Sequence, residues 1–171
     1  MSILSSLVRI DPDLSEKFID QLSKSYRYIL EHKDHYLVSL RTELDFIDAY
    51  SFLLKIRFEN KFDVNYHLSE LELDKYKIAP MTLQLLIENA VKHNRMSQKE
   101  PLIVEVSVLD KVLIVSNKLQ VRSGSVGSTG IGLENIKNRY ALLTKIPVWA
   151  GITEDKFVVK VPLLDTETTG S

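Results

Sequence analysis

The chain has no cysteine, almost no net charge and no long apolar run. Without cysteine, a disulfide framework and thiol catalysis are both excluded, which suits a reducing compartment. A net charge of −1 gives no overall attraction to nucleic acid or to a membrane surface. No apolar run approaches the roughly 18 residues of a membrane span, and no signal peptide is visible. With 44% apolar residues, the 171-residue chain is predicted to form one compact domain with a helical extension.

The first part of the chain is predicted to be helical. Residues 2–10 form a short apolar segment, and Asp11 is placed to cap a second helix that ends near residue 31. Ser39 is placed to cap a third helix, whose apolar residues recur at helical spacing through Phe58. The second and third helices are predicted to pair as an antiparallel hairpin. Their apolar stripes are too wide for solvent contact alone, so we expect them to bury against a second copy of the chain.

The rest of the chain alternates strands and helices. Five segments are predicted to be strands: residues 62–68, 102–108, 112–117, 148–152 and 156–162. Asp110 and Lys111 separate the second and third of these, which indicates a hairpin. Residues 71–77 are expected to form a charged connection. Residues 118–129, rich in glycine and serine, are expected to form a mobile loop. This order of elements is typical of an α+β fold.

Residues 80–94 are predicted to form one helix whose polar face carries chemistry. Asn89, Lys92 and His93 fall at i, i+3 and i+4, so they point the same way. A carboxamide oxygen beside a cation suffices for Mg²⁺ that arrives on a triphosphate, because Mg²⁺ keeps several waters. The alternative is a solvated face with a Glu88–Lys92 ion pair, which spacing alone favours.

A second stretch, residues 128–136, runs from a glycine-containing turn into a helix. Free N–H groups at a helix N-terminus bind anions, and Gly130 and Gly132 let the backbone come close to a phosphate. Such a turn is weak evidence by itself. The two stretches in this order, about 40 residues apart, are a specific combination.

Together the stretches resemble the ATP-binding domain of the GHKL superfamily, which includes gyrase-type ATPases, MutL and histidine kinases. Residues 83–93 (LQLLIENAVKH) look like the asparagine box of the LytS/YehU-type sensor histidine kinases, and residues 129–140 (TGIGLENIKNRY) like their glycine box. The run 40–58 is similar to the helix before that domain. The resemblance implies a Bergerat-type two-layer α/β sandwich preceded by an antiparallel helical hairpin. ATP is then expected between the helices and a lid at residues 118–129.

The resemblance also divides the chain into parts. Residues 1–60 correspond to a partial dimerisation and phosphotransfer hairpin, and residues 61–164 to an ATP-binding catalytic domain. Residues 165–171 are expected to be a disordered tail. The implied cofactors are ATP and Mg²⁺.

The implied site centres on Asn89, which by resemblance supplies a side-chain oxygen to Mg²⁺. Lys92 and His93 are expected near the phosphates, with a plain surface contact as an equal alternative for each. Glu88 is a candidate catalytic base or orienting group, although its ion pair with Lys92 is the favoured alternative. The other residues expected to bind the nucleotide are Asn117, Thr129, Gly130, Ile131, Gly132 and Leu133.

Three departures from the superfamily pattern bear on the reaction. Leu85 stands where gyrase-type ATPases and MutL have a water-activating glutamate, which disfavours hydrolysis. Asn117 stands where an aspartate takes the adenine amino group; its carbonyl oxygen still accepts a hydrogen bond, without the charge. The phosphoacceptor motif His-Phe-x-Phe-Asn is missing, and none of the histidines at 32, 35, 67 and 93 has its neighbours.

The leading hypothesis is a sensor histidine kinase core that binds Mg-ATP and phosphorylates a histidine upstream of this chain. A response regulator of the LytTR type is the expected partner, and homodimerisation is expected through the N-terminal helices. The protein is expected to be a cytoplasmic domain that reaches the membrane only through segments outside this chain. Two alternatives are a GHKL-type ATPase switch and a non-catalytic dimerisation module with a degenerate nucleotide site.

Overall fold

The computed structural model of the protein describes residues 3–123 and 130–165. The helices are α1 (Ile3–Ile10), α2 (Pro12–His32), α3 (Leu40–Arg57), α4 (Glu70–Lys75), α5 (Thr82–His93) and α6 (Ile131–Leu143). The strands are β1 (Val38–Ser39), β2 (Phe62–His67), β3 (Tyr76–Ile78), β4 (Leu102–Leu109), β5 (Val112–Lys118), β6 (Trp149–Thr153), β7 (Lys156–Pro162) and β8 (Leu164–Asp165). Within the described ranges, no helix is both long and apolar enough to cross a bilayer.

Helices α2 and α3 form the predicted antiparallel hairpin. Near one end of the pair the ring of Tyr28 stacks on Phe46, with centroids 4.2 Å apart. Near the other end the Lys17 ammonium lies 4.9 Å from the centre of the Phe52 ring. The predicted caps are also confirmed. The Asp11 carboxylate accepts a hydrogen bond from the Leu14 N–H of α2, and the Ser39 hydroxyl accepts one from the Thr42 N–H of α3.

A five-stranded mixed sheet forms the second layer, in the order β2-β4-β5-β7-β6. Strand β2 runs parallel to β4, and every other neighbouring pair in this sheet is antiparallel. Asp110 and Lys111 both have positive φ, 49° and 65°, as a two-residue hairpin between β4 and β5 requires. In β4, Val104 and Val106 are fully buried while Ile103 is 38% exposed. The helices therefore cover one face of the sheet, which confirms the α+β two-layer fold.

The hydrophobic core lies between this sheet and helices α3 and α5. Leu40 and Ile47 of α3 are fully buried, as are Leu83 and Ile87 of α5. Burial of each aliphatic side chain of this size stabilises the folded state by about 1.5–3 kcal/mol relative to exposure to water. Packing is continuous from α3 into the sheet layer, across the position near residue 60 where the sequence suggested a division. That division stays a prediction.

A second, three-stranded sheet was not predicted. Its order is β1-β3-β8, and both pairings are antiparallel. The expectation of a plain charged connection over residues 71–77 is therefore wrong, because that stretch contains most of α4 and the first residues of β3. A capping box begins α4: the Ser69 hydroxyl accepts from the Glu72 N–H, and the Glu72 carboxylate accepts from the Ser69 N–H. This Ser-x-x-Glu signal was readable in the sequence.

Candidate nucleotide site

A cavity of about 280 Å³ lies where α5, the start of α6 and the end of β5 meet. This size is near the lower end of the roughly 300–1,000 Å³ typical of small-molecule pockets. Its walls mix apolar side chains with a few polar groups. The lining residues are Asn89, Ala90, His93, Asn94, Leu119, Val121, Gly130, Leu133 and Phe157. The structure thus brings the two predicted motifs to the same cavity.

Helix α5 supplies Asn89 and His93, one turn apart on the same face. The side chain of Asn89 is half-buried and, within the described residues, its carboxamide has no hydrogen-bond partner. Burial lowers the pKa of the His93 imidazole below its ordinary value, and the nearby charges of Lys92 and Arg122 lower it further. Within the described residues, the cavity therefore presents an unpaired carboxamide and an imidazole whose protonation is disfavoured by burial and by two nearby cations.

The direction in which side chains leave α5 separates the predicted residues into two groups. Successive residues are rotated by about 100° around the helix axis, so His93 lies about 40° from Asn89. On the other side of Asn89, Lys92 lies about 60° away and Glu88 about 100° away. Glu88 and Lys92 accordingly line a different cavity, of about 370 Å³, beside the end of α3. The structure does not bring them into the cavity that contains Asn89.

The proposed Glu88–Lys92 ion pair is not formed among the described residues. Instead, the Glu88 carboxylate accepts hydrogen bonds from the Tyr50 hydroxyl at 3.1 Å and the Gln84 amide at 3.3 Å. Burial and the neighbouring Glu88 charge raise the pKa of Tyr50. The ion-pair alternative is therefore wrong, and Glu88 joins α5 to α3.

The start of helix α6 forms another part of the cavity wall. Gly130 is its N-cap residue, with φ of 61°, and no side chain caps the helix. The first N–H groups of the helix, from Ile131 and Gly132, have no partners within it and are free to bind an anion. A Cβ added at Gly130 or Gly132 would meet nothing within 4 Å, so open space adjoins this backbone. Leu133 lines the cavity, and Thr129 lies outside the described residues.

Asn94, which the sequence analysis did not predict as a site residue, connects the end of α5 to the segment that follows β5. Its buried side chain accepts from the Gln120 N–H at 2.8 Å and donates to the Ala90 carbonyl at 2.9 Å. The Arg122 guanidinium donates to the Asn94 carbonyl, and the Arg122 N–H to that of His93. Asparagine directly after a helical segment is a known local hydrogen-bonding position, and this was the available signal. Residues 120–122 are thus hydrogen-bonded to the end of α5. Lys118 belongs to β5, which corrects the expectation of a loop from that residue. Residues 124–129 of the expected lid lie outside the described residues.

Asn117 is buried near the end of β5 and is not among the residues that line the cavity. Its side-chain amide donates to the carbonyl of Lys118 at 2.9 Å. Its partner across the sheet is Phe157, which does line the cavity. The side-chain oxygen of Asn117 keeps its capacity to accept a hydrogen bond, so its expected contact with adenine stays a prediction.

The donor set fits a magnesium ion only if the ion arrives with phosphate groups. Among the residues that the structure describes, no group of three or more His, Asp and Glu side chains comes together to hold a metal. Asn89 offers one neutral oxygen, and Mg²⁺ held by a nucleotide takes most of its ligands from phosphates and water. The cavity is therefore suited to a metal–nucleotide complex and not to a free metal ion.

The chain is similar to several known proteins. A family model described as histidine kinase matches residues 1–62. The sensor protein LytS of Streptococcus agalactiae serotype V is 32% identical over 159 residues, covering 84% of this chain and 27% of that protein. The sensor protein LytS of Bacillus cereus is 36% identical over 112 residues, covering 65% of this chain and 19% of that protein. The chain thus spans about a fifth to a quarter of the length of these relatives.

Among solved structures, the cytoplasmic segment of histidine kinase QseC aligns with a TM-score of 0.50. It is 21% identical, and the alignment covers 75% of this chain and 77% of that one. At this identity the similarity concerns the fold alone. It agrees with helices packed on one face of a mixed sheet.

Proposed function

Because this chain belongs to the LytS-type sensor histidine kinases, we propose that it binds Mg-ATP and donates the γ-phosphoryl group to a histidine upstream of it. The observation that carries the proposal is the single cavity in which Asn89, His93 and Gly130 converge. Each comes from one of the two motifs found in the sequence.

In this proposal, each group of residues in the cavity binds a different part of Mg-ATP. Asn89 offers its carboxamide oxygen to the magnesium ion that accompanies the phosphates. His93 lines the same cavity. Its surroundings disfavour protonation of its imidazole, and the negative charge of a bound phosphate would favour it. The N–H groups at the start of α6 hold phosphate oxygens. Magnesium, when bound, supplies neutralisation of the developing phosphate charge, and phosphoryl transfer otherwise depends mainly on positioning.

Hydrolysis is disfavoured by Leu85. The side chain is half-buried and packs against the hydrophobic core. It has no group that accepts a proton from water. An ATPase switch would need another base, and Glu88, the nearest candidate in sequence, lines the other cavity. Transfer to a protein side chain therefore suits this site better than attack by water.

Binding of ATP with Mg²⁺ and with EDTA, measured by isothermal titration calorimetry, tests the first half of the proposal. Binding that strengthens in Mg²⁺ supports it, whereas the absence of binding in both buffers would favour a non-catalytic dimerisation module. Asn117 is the residue that favours that alternative, because it lacks the charge of an aspartate.

Transfer is tested by γ-labelled ATP. The present chain should label itself negligibly, because the acceptor motif is outside it. A longer form of the protein that carries a His-Phe-x-Phe-Asn motif should gain acid-labile, base-stable label. That label should survive His32→Ala and His35→Ala. Robust labelling of the present chain that His32→Ala or His35→Ala removes would refute the assignment, and release of free phosphate alone would favour the ATPase switch.

The proposed partners follow from the family and from the surface of α2. Ile19, Tyr26 and Leu30 lie on this helix and are 45%, 61% and 67% exposed. We propose that this apolar face binds the same face of a second copy, which gives a homodimer. The phosphoryl group is proposed to pass to a response regulator of the LytTR type. The domain is proposed to work in the cytoplasm, as part of a membrane-anchored protein.

A further inference from the structure

One buried carboxylate plays no part in the site described above. Glu43 of α3 is fully buried. Its Oε2 atom accepts a hydrogen bond from the Met81 N–H at 3.1 Å, and its Oε1 atom accepts one from the Leu83 N–H at 3.1 Å. The Tyr28 hydroxyl of α2 also donates to Oε2. A single side chain thus joins three helices.

The two backbone contacts lie at the start of α5. This helix has no cap of its own: Met81 is the N-cap residue, in the left-handed region at φ 65°, and makes no side-chain cap. The first N–H groups of any helix need acceptors from elsewhere, and a negative charge there is favoured by the helix dipole. Glu43 therefore supplies, from another helix, the cap that α5 lacks in its own sequence.

Helix α6 reaches the same point from the other side. The Tyr140 hydroxyl accepts from the Ala79 N–H at 3.1 Å, and the Arg139 guanidinium donates to the Pro80 carbonyl at 2.9 Å. Tyr140 is fully buried. The start of α5 is thus held by α3 and by α6, and through Tyr28 by α2.

Helix α5 carries this placement to the nucleotide site. From Leu83 to Asn89 the helix advances six residues, or about 9 Å. Because a helix of this length is stiff, a shift at its start moves Asn89 and His93 with it.

We propose that Tyr28 and Glu43 form a joint that positions the nucleotide-binding end of α5 according to the placement of α2 on α3. The functional meaning of the joint rests on the proposed binding of Mg-ATP. Glu43 is a positioning residue, since it acts on the cavity only through α5.

Tyr28→Phe is the cleanest test, because it removes the hydroxyl while keeping the ring that stacks on Phe46. The matched control is Tyr36→Phe, which makes the same chemical change at a side chain that is 84% exposed. Two readouts are compared in both variants. They are the NMR signals of the Asn89 side-chain amide without nucleotide, and the dissociation constant for Mg-ATP.

We expect Tyr28→Phe to shift the Asn89 signals and to weaken Mg-ATP binding by about threefold to tenfold, the range that one net hydrogen bond allows. Tyr36→Phe should change neither. A folded Tyr28→Phe variant with unmoved Asn89 signals overturns the joint. If the wild-type chain binds no nucleotide, the proposed function fails, and the NMR signals alone still decide on the joint.

Glu43→Gln gives an independent check, because the amide keeps one acceptor oxygen for the two N–H groups. If both residues act through one joint, the effects of Tyr28→Phe and Glu43→Gln on the Asn89 signals should be non-additive in the double variant. Additive effects would overturn the proposal. Should Glu43→Gln fail to fold, the comparison of Tyr28→Phe with Tyr36→Phe decides.

Discussion

Replacing Asn89 by alanine separates the metal-ligand role from any structural role. Within the described residues its carboxamide makes no hydrogen bond, and its side chain is half-buried at the cavity. The substitution therefore leaves no donor or acceptor unpaired among the residues that the structure describes. Its effect on the free energy of unfolding should stay within about 0.5 kcal/mol. For a protein of this size, that corresponds to a shift in Tm of about 2 °C or less.

The effect on nucleotide binding should be much larger. A contact to a charged group contributes about 1.5–3 kcal/mol, so losing it should raise the Kd for Mg-ATP by about tenfold to a hundredfold. In EDTA the loss should nearly vanish, because the carboxamide then has no ion to bind. Isothermal titration calorimetry in the two buffers measures both values.

Asn138→Ala is the matched control for this experiment. Asn138 is an exposed residue of α6 and does not line the cavity, so the same chemical change there should leave the Kd unchanged. An equal loss of affinity for Asn89→Ala in Mg²⁺ and in EDTA would refute the metal-ligand role. A fall in Tm of more than about 4 °C would show instead that the side chain supports the fold.

Three further predictions follow from the cavity and its supports. Gly130→Ala should lower the free energy of unfolding by about 1–2 kcal/mol in thermal denaturation, because Gly130 has a positive φ. Gly132→Ala should leave the free energy of unfolding unchanged, but it should weaken ATP binding if a phosphate approaches that backbone. The lowered pKa of His93 should rise when phosphate binds, so calorimetry near pH 6 should show proton uptake and tighter binding as the pH falls; proton uptake that persists in His93→Asn would contradict this. Tyr140→Phe leaves the Ala79 N–H without its acceptor and should cost about 1–3 kcal/mol of unfolding free energy, and an unchanged Tm would show that this contact contributes nothing.

The long elements were predictable because their patterns repeat over many residues. Helices α2 and α3 and the hairpin of β4 and β5 carried caps, periodic apolar residues and a turn signal that all agreed. Strands β1, β3 and β8 have two or three residues each, which is too short for any period to show. Their pairing depends on contacts between distant parts of the chain.

The sequence predicted some of the residues that line the candidate site, but not all of their positions. Residue types at i and i+4 placed Asn89 and His93 together correctly. The i+3 spacing of Lys92 suggested the same face, but the helix turns it about 60° away, towards another cavity. Glu43 is a charged residue that a binary pattern assigns to solvent. Its burial follows from the unpaired N–H groups of a helix 38 residues away in sequence, which no local pattern reveals.

The position of this joint also determines what nucleotide binding does in return. Coupling between two sites is reciprocal. If the placement of α2 changes the affinity for Mg-ATP by some factor, Mg-ATP changes the equilibrium between the placements of α2 by the same factor. In the proposed dimer, the exposed face of α2 contacts the partner copy, whereas Tyr28 of the same helix contacts Glu43. Helix α2 therefore lies between the dimer interface and the start of α5. A rearrangement at the interface that leaves Tyr28 in contact with Glu43 has no route to the cavity through this joint.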